Sequence, residues 1–170
     1  LVIADEINRA TPKTQSALLE AMQELQVTIE GNTQDLAQPF MVVATQNPVE
    51  MEGTFELPVA QRDRFQQKLV VPIPEREFER DLLTRFDTDP TLGPDLIQPE
   101  LTVEQIEQAQ DAVTQVYLAD PITDYILDLV AATRAHGDVE HGASPRAAIA
   151  LQQAGKARAA IDGRGYVIPD

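Results

Sequence analysis

Two adjacent carboxylates, Asp5 and Glu6, follow a short apolar run, Leu1–Ala4. An unbroken apolar run of this length predicts a strand that is buried on both faces. Ligands of open α/β sheets bind beyond the carboxyl ends of the strands, so both side chains are expected at a ligand site. Asp5 could hold Mg²⁺ through its water shell, and Glu6 could polarise a water for attack on a terminal phosphate. The same residues also fit a strand that simply ends in a polar turn.

A second apolar run, Phe40–Ala44, also ends in polar residues, and these include Asn47. If the two runs form neighbouring strands, Asn47 would lie beside Glu6, where its amide could orient a water or contact a phosphate without adding charge. Because Asn-Pro is also an ordinary turn, Asn47 becomes informative only together with the acidic pair.

Two further segments contain arginines that suit phosphate chemistry, Arg62–Phe65 and Gly142–Arg146. A guanidinium is planar, always charged and able to bind two oxygens at once. Arg146 falls in the first turn of a predicted helix, where the helix dipole disfavours a cation by about 0.3–1 kcal/mol. A residue that breaks a local rule indicates function. Both segments also fit ordinary surface arginines.

The elements around these residues predict an α/β part. Thr11-Pro12 combines an N-cap hydroxyl with proline at the first helical position, so a helix should follow the first strand. Gln26–Glu30 and the turn residues Gly31-Asn32 predict a hairpin that leads into the second buried strand. A short helix over Leu57–Phe65 and a strand over Lys68–Val71 should complete this part.

From Glu75 onward the pattern predicts helices only. The predicted helical features are Glu75–Phe86, a helix starting at the capping box of Thr102 and Gln105, a helix opening at Asp120-Pro121, and a helix from Ser144-Pro145 to about Ile161, with a long loop at Asp87–Pro99. We place the domain boundary near Pro72–Pro74, which gives an α/β domain at 1–73 and an all-α domain at 74–170.

Composition excludes several classes of protein. The formal charge of −15 argues against a nucleic-acid partner, because phosphate neutralisation needs patches of Lys and Arg. No apolar run approaches the length of a membrane helix. The absence of cysteine excludes disulfides and thiolate zinc sites. His136 and His141 lie in a glycine-containing segment for which a solvated loop is favoured over a metal site.

Taken in order, the segments LVIADEINRA, PKTQSALLEAMQE, QVTIEG, PFMVVATQNPVE, EGTFELPVAQRDRF and GASPRA resemble the MoxR family of AAA+ ATPases. The resemblance implies part of an α/β P-loop NTPase core, a parallel sheet with flanking helices, followed by an all-α lid domain. It also implies a homo-oligomeric ring, usually a hexamer, which hydrolyses ATP with Mg²⁺ in the cytoplasm. The implied work is chaperone-like remodelling or maturation of a protein client, with a von Willebrand A-type partner protein.

The resemblance also implies a role for each candidate residue. The start of the chain resembles Walker B, with Asp5 serving Mg²⁺ through water and Glu6 serving the attacking water. Asn47 resembles the sensor-1 residue. Arg64, within the Asp-Arg-Phe triplet, resembles the arginine finger that reaches the nucleotide of a neighbouring subunit. Arg146 resembles the sensor-2 arginine, which contacts the γ-phosphate from the lid.

The chain departs from the family pattern at several places. Arg62 stands where the family usually has an apolar residue, so Arg62 and Arg64 are both candidates for the finger, and we favour Arg64. Val59 occupies a position often held by Glu. No G-x-x-x-x-G-K-[ST] stretch occurs, so the phosphate-binding loop is expected upstream of Leu1, and this chain alone is expected to be inactive and to bind nucleotide poorly. The lid is expected to continue beyond Tyr166–Asp170.

Two other functions compete with this interpretation. A magnesium-chelatase-like AAA+ subunit would share the strand, sensor and finger layout. A non-catalytic AAA+ scaffold would assemble without hydrolysing ATP, but it would need none of the charged residues named above. The upstream sequence separates the scaffold from the enzyme, because only the enzyme needs an intact phosphate-binding loop.

Overall fold

The computed structural model describes residues 1–47, 53–89 and 98–169. Its elements in chain order are β1 (Val2–Ala4), a 3-10 turn (Ile7–Arg9), α1 (Pro12–Glu24), β2 (Gln26–Ile29), β3 (Asn32–Asp35), β4 (Val42–Ala44), α2 (Val59–Arg62), α3 (Arg76–Thr88), α4 (Val103–Thr114), α5 (Asp120–Ala135) and α6 (Pro145–Ile161). The predicted order, an α/β part followed by helices, is therefore confirmed. In these three ranges no helix combines the length and the apolar character that crossing a bilayer requires.

The predicted starts of α1 and α4 are confirmed by their capping contacts. Thr11 has an extended backbone, and its hydroxyl accepts a hydrogen bond from the Thr14 N–H at 3.4 Å. In the capping box of α4, Thr102 N donates to Gln105 Oε1 at 2.8 Å, and Gln105 N donates to Thr102 Oγ1 at 3.2 Å. These contacts satisfy N–H groups that the first turn of a helix leaves without partners.

β1 and β4 pair in parallel, with Val2 opposite Val42 and Ala4 opposite Ala44. The two apolar runs are thus neighbouring strands, as the interpretation of the polar residues at their ends required. Because parallel strands end at the same edge of a sheet, the residues that follow Ala4 and Ala44 meet at one edge.

β2 and β3 form the predicted hairpin, with Ile29 opposite Asn32. Its turn is Glu30-Gly31, one residue earlier than predicted, and both turn residues have positive φ, 51° and 81°. Two-residue hairpin turns of this kind match the twist of the flanking strands, and they need positive φ at both positions. Asn32 therefore belongs to the strand rather than to the turn.

Three predictions about the α/β part were wrong. Leu1 and Ile3 are 76% and 68% exposed, because β4 is the only ladder partner of β1 in the described ranges. Lys68–Val71 forms no strand, and its apolar side chains are at least 81% exposed. The helix predicted over Leu57–Phe65 is limited to the four residues of α2. An apolar run becomes a buried strand only when other elements pair with it and cover it.

Predictions that fall on residues 48–52, 90–97 and 170 lie outside the described residues. They include Pro48, most of the loop predicted at Asp87–Pro99, and the last residue. The predicted helix at Glu75 exists as α3 and runs to Thr88, two residues past the predicted end.

The described residues bury apolar side chains in two places. In the α/β part Ile7, Leu19 and Leu57 are 4%, 4% and 6% exposed. In the helical part Val116, Ala159 and Val167 form a buried cluster. The backbone of Tyr117 ties the segment after α6 to the end of α4, accepting from Val167 N at 3.1 Å and donating to Gly165 O at 2.9 Å.

The loop before α6 is fixed to the end of α5. Arg134 Nε donates to Ala143 O at 2.8 Å, and Ala143 N donates to Thr133 Oγ1 at 2.9 Å. Gly142 lies so close to α5 that a Cβ atom there would stand 2.6 Å from Arg134 Cα. These contacts set the position at which α6 begins, and with it the position of Arg146.

We predict that Gly142→Ala lowers the free energy of unfolding by about 1–3 kcal/mol, because the added methyl group overpacks against backbone that cannot yield freely. Gly137→Ala is the matched control, since a Cβ atom there would meet nothing within 4 Å. Urea denaturation followed by circular dichroism measures both variants. Equal midpoints for the two variants would contradict this account of the loop.

Candidate functional site

The hydroxyl of Thr45 joins the two carboxylate-bearing residues at the edge of the β1–β4 pair. Thr45 Oγ1 donates to Asp5 Oδ1 at 2.5 Å and accepts from Glu6 N at 2.9 Å. The backbone ladder continues alongside, from Thr45 N to Ala4 O and from Ile7 N to Thr45 O, both at 3.0 Å. Sequence analysis did not single out Thr45, although its place at the end of an apolar run was a signal for it.

Glu6 has a left-handed backbone conformation, with φ 48° and ψ 50°. Non-glycine residues adopt this region infrequently, and it persists where surrounding contacts hold it. Here the two hydrogen bonds to Thr45 flank the residue. Its carboxylate forms an ion pair with the side chain of Arg9, with 3.0 Å between Arg9 Nε and Glu6 Oε2.

Asn47 is exposed and lies two residues after Thr45 at the same edge of the sheet. The parallel pairing therefore brings Asp5, Glu6 and the segment that carries Asn47 to one edge. Asp5 is the residue there that could hold Mg²⁺ through water, because its carboxylate is exposed and the Thr45 hydroxyl adds a second oxygen beside it. Carboxylate and hydroxyl oxygens are the hard donors that Mg²⁺ prefers.

Gln15 of α1 is a buried polar residue that sequence analysis missed. It is 2% exposed, and its Nε2 atom donates to Ile7 O at 3.1 Å and to Phe55 O at 3.0 Å. Phe55 N in turn donates to Asn8 O at 2.6 Å. Gln15 thus fixes the segment directly after Glu6. Its spacing four residues before the buried Leu19 was the available signal, since both lie on one helix face.

The two candidate finger arginines have different surroundings. Arg62 ends α2 and is exposed. Arg64 is half-buried, and its Nη1 atom donates to Gln23 Oε1 on α1. Arg64 Nε is buried without a hydrogen-bond acceptor in the described part of the chain.

Arg146 lies in the first turn of α6, as predicted, and faces a carboxylate that the sequence did not point to. Its Nη1 atom is 3.7 Å from Asp63 Oδ2. Arg64 and Arg146 both line a cleft of ≈ 680 Å³ between the segment after α2 and the first turns of α6. The structure therefore brings the site residues together in two groups, the sheet edge and this cleft.

The histidine-containing loop shows only local contacts. His136 Nδ1 accepts a hydrogen bond from Asp138 N at 3.3 Å. His141 Nε2 lies 3.7 Å from the carboxylate of Glu140. Across the ranges that the structure describes, no three His, Cys, Asp or Glu side chains are grouped as a metal site would require.

Comparison with known proteins shows which family the chain belongs to. The family model for the ATPase family associated with various cellular activities matches residues 1–67, and the model for the AAA lid domain matches residues 131–170. Chaperone MoxR1 of Mycobacterium tuberculosis is 41% identical over 177 residues, covering 99% of this chain and 46% of that protein. Protein MoxR of Methylorubrum extorquens is 32% identical, covering 98% and 53%. The chain belongs to the MoxR family of AAA+ ATPases.

Two further relatives extend the comparison. Uncharacterized protein YeaC of Bacillus subtilis is 48% identical over all of this chain and 52% of its own length. A crystal structure of a Cytophaga hutchinsonii protein assigned as an ATPase superposes with a TM-score of 0.86 at 40% identity, covering 98% of this chain and 53% of that one. The expected fold class, part of an AAA+ core followed by a helical lid, is confirmed. The chain spans about half the length of the curated relatives it matches.

We predict that Gln15→Leu lowers the free energy of unfolding by about 1–3 kcal/mol, because two backbone carbonyls lose their buried donor. Glu20→Leu is the matched control, since Glu20 lies on the same helix and is exposed. Thermal unfolding of both variants is the measurement. If the control variant is destabilised as much as Gln15→Leu, the loss of stability comes from leucine in the helix and not from the lost hydrogen bonds of Gln15.

Proposed function

We propose that the full-length protein is a MoxR-type ATPase that couples ATP hydrolysis to the remodelling or maturation of protein complexes. The observation that carries the proposal is the hydroxyl of Thr45, which joins Asp5 and Glu6 across two parallel strands at 2.5 and 2.9 Å. An acid pair held at the carboxyl edge of a parallel sheet suits Mg²⁺-dependent attack of water on a phosphate.

Each residue at the sheet edge has a defined part in this proposal. Asp5 holds Mg²⁺ through its water shell, and the ion neutralises charge on the ATP phosphates. Glu6 accepts a proton from the attacking water, which requires that its carboxylate exchange Arg9 for that water. Asn47 orients the water or contacts the phosphate without adding charge.

The arginines act from the cleft. Arg146 contacts the γ-phosphate from the lid, and Arg64 reaches the nucleotide of the neighbouring subunit in a homo-oligomeric ring, proposed as a hexamer. Arg64 lines this cleft, which supports a guanidinium that a ligand oxygen can reach. Planar, bidentate binding of phosphate is the property that favours arginine at both positions.

The proposed work of the ring rests on its relatives. The M. tuberculosis relative is named a chaperone. By this likeness we propose a protein client. The cytoplasmic location and a von Willebrand A-type partner protein are proposed from the resemblance to the family alone. The phosphate-binding loop is proposed in the part of the full-length protein that precedes this chain, since these 170 residues contain no matching stretch.

Glu6→Gln in the full-length protein is expected to keep MgATP binding and to slow turnover by about 10²–10⁴-fold, the usual contribution of a general base. Glu104→Gln on α4 is the matched control, because Glu104 is exposed and accepts a hydrogen bond from Gln108 on the same helix. Steady-state phosphate release and equilibrium nucleotide binding measure the two effects. Normal turnover by Glu6→Gln would show that Glu6 is not the general base. A wild-type protein that binds ATP but does not hydrolyse it would favour the non-catalytic scaffold.

Arg64→Ala is expected to lower ATPase activity of the assembled ring by about 10³–10⁵-fold, whereas Arg62→Ala should change it little. Because the finger acts on a neighbouring subunit, mixing Arg64→Ala subunits with Glu6→Gln subunits should restore activity. The Glu6→Gln subunit then supplies the finger, and the Arg64→Ala subunit supplies the general base. If Arg62→Ala loses activity and Arg64→Ala does not, Arg62 is the finger instead. If the mixed subunits show no ATPase activity, the arginine does not act between subunits.

A further inference from the structure

Asp63 lies between the two candidate finger arginines, yet its carboxylate contacts the start of the lid helix α6. Ser144 Oγ lies 2.7 Å from Asp63 Oδ1 and 2.8 Å from Oδ2, so the hydroxyl donates its single proton to this carboxylate. The contact joins residues 81 positions apart in the chain. It is the direct link between the segment Arg62–Phe65, here called the finger segment, and the N-cap of α6.

The same hydroxyl continues the link into the helix. Ser144 Oγ accepts hydrogen bonds from Arg146 N at 3.1 Å and from Ala147 N at 3.4 Å. Carboxylate, hydroxyl and helix N–H groups therefore form one chain of hydrogen bonds. A negative charge beside a helix N-terminus is favourable, and hydrogen bonds in series polarise one another.

Asp63 also explains how Arg146 can stand in the first turn of a helix, where a cation is unfavourable. The carboxylate lies 3.7 Å from Arg146 Nη1. The pair is unequal in exposure, 27% for the Asp63 side chain and 50% for the Arg146 side chain. A pair this exposed is weak, so the guanidinium stays able to bind a more highly charged anion in the cleft that it shares with Arg64.

We propose that Asp63 is a positioning residue for the phosphate-sensing arginine: through Ser144 and Arg146 it holds the start of α6 against the finger segment. The inference rests on the proposed role of Arg146 toward the γ-phosphate. Asp63 itself does not touch the nucleotide. Asp63 is next to Arg64 in the chain and contacts Ser144 and Arg146 across the cleft. It therefore sets the position of Arg146 relative to Arg64.

Asp63→Asn in the full-length protein tests the proposal with two nucleotides. Mg-AMP-PNP carries a γ-phosphoryl group and is not hydrolysed, whereas MgADP lacks that group. If Asp63 positions Arg146, the substitution should weaken Mg-AMP-PNP binding by about two- to fivefold, which is the range of an exposed ion pair. It should leave MgADP binding unchanged. Isothermal titration calorimetry gives both affinities.

Two further variants separate positioning from a merely structural role. In an Arg146→Gln background, Asp63→Asn should cause no additional loss of Mg-AMP-PNP affinity, since the residue through which it acts is gone. Ser144→Gly should reproduce the selective loss, because glycine is itself an accepted N-cap and disturbs α6 little. It also decides the question if Asp63→Asn fails to fold.

Asp162→Asn is the matched control. Asp162 lies just past the other end of α6 and accepts hydrogen bonds from Arg158 Nε and Arg164 Nη2, both at 3.1 Å. The hydrogen bond from Arg164 is the main reason that the pKa of this carboxyl lies below its ordinary value. The substitution removes an arginine-bound carboxylate from the same helix without touching the finger segment, so both nucleotide affinities should stay at wild-type values.

The outcomes separate this inference from the proposed function. An equal loss of both nucleotides in Asp63→Asn, unchanged or tighter Mg-AMP-PNP binding, or a loss that persists in the Arg146→Gln background would overturn the role of Asp63. A wild-type protein that binds neither nucleotide would overturn the proposed function instead.

Discussion

The parallel pairing of β1 with β4 is the constraint on which the rest of the site depends. Neither strand has more than three residues, and the pairing is extended by the hydroxyl and backbone of Thr45. Because parallel strands end at the same edge, this one register decides which side chains can act together. A slip of β1 by one residue against β4 would turn the side chains of β1 to the other face of the sheet and break the contact between Asp5 and Thr45.

Gln15 and Arg9 show how the segment after β1 is held in shape. The buried amide of Gln15 satisfies the backbone carbonyls of Ile7 and Phe55, so the cost of burying it is offset by its hydrogen bonds. The ion pair between Arg9 and Glu6 is half-exposed, and such pairs are weak. Gln15 therefore holds the backbone of this segment, while the weak ion pair lets the Glu6 carboxylate leave Arg9. Both properties suit a general base that must bind water during turnover.

Asp63 ties the lid to the core through Ser144 and Arg146. Asp63 and Ser144 connect the finger segment to α6, while Gly142 sets where that helix starts. Hydrogen bonds to a charged acceptor are stronger than neutral ones, so a small contact of this kind can fix the angle of a helix. This contact therefore helps to set the position of Arg146 relative to Arg64.

The sequence by itself predicted the helix starts, the hairpin and the two strands that end at a shared edge, and it singled out the residues that we propose for the chemistry. Thr11, Thr102 and Ser144 cap helices because a hydroxyl at that position satisfies local N–H groups, and local rules of this kind need no knowledge of the fold. The polar residues that end two apolar runs predicted a shared edge. Only the tertiary structure decided how Thr45, Gln15 and Asp63 are used, because each of them has a partner at least 39 residues away in the chain. It also decided that Leu1 and Ile3 stay exposed and that Lys68–Val71 forms no strand, since the burial of an apolar run depends on the elements that pack against it and not on the run itself.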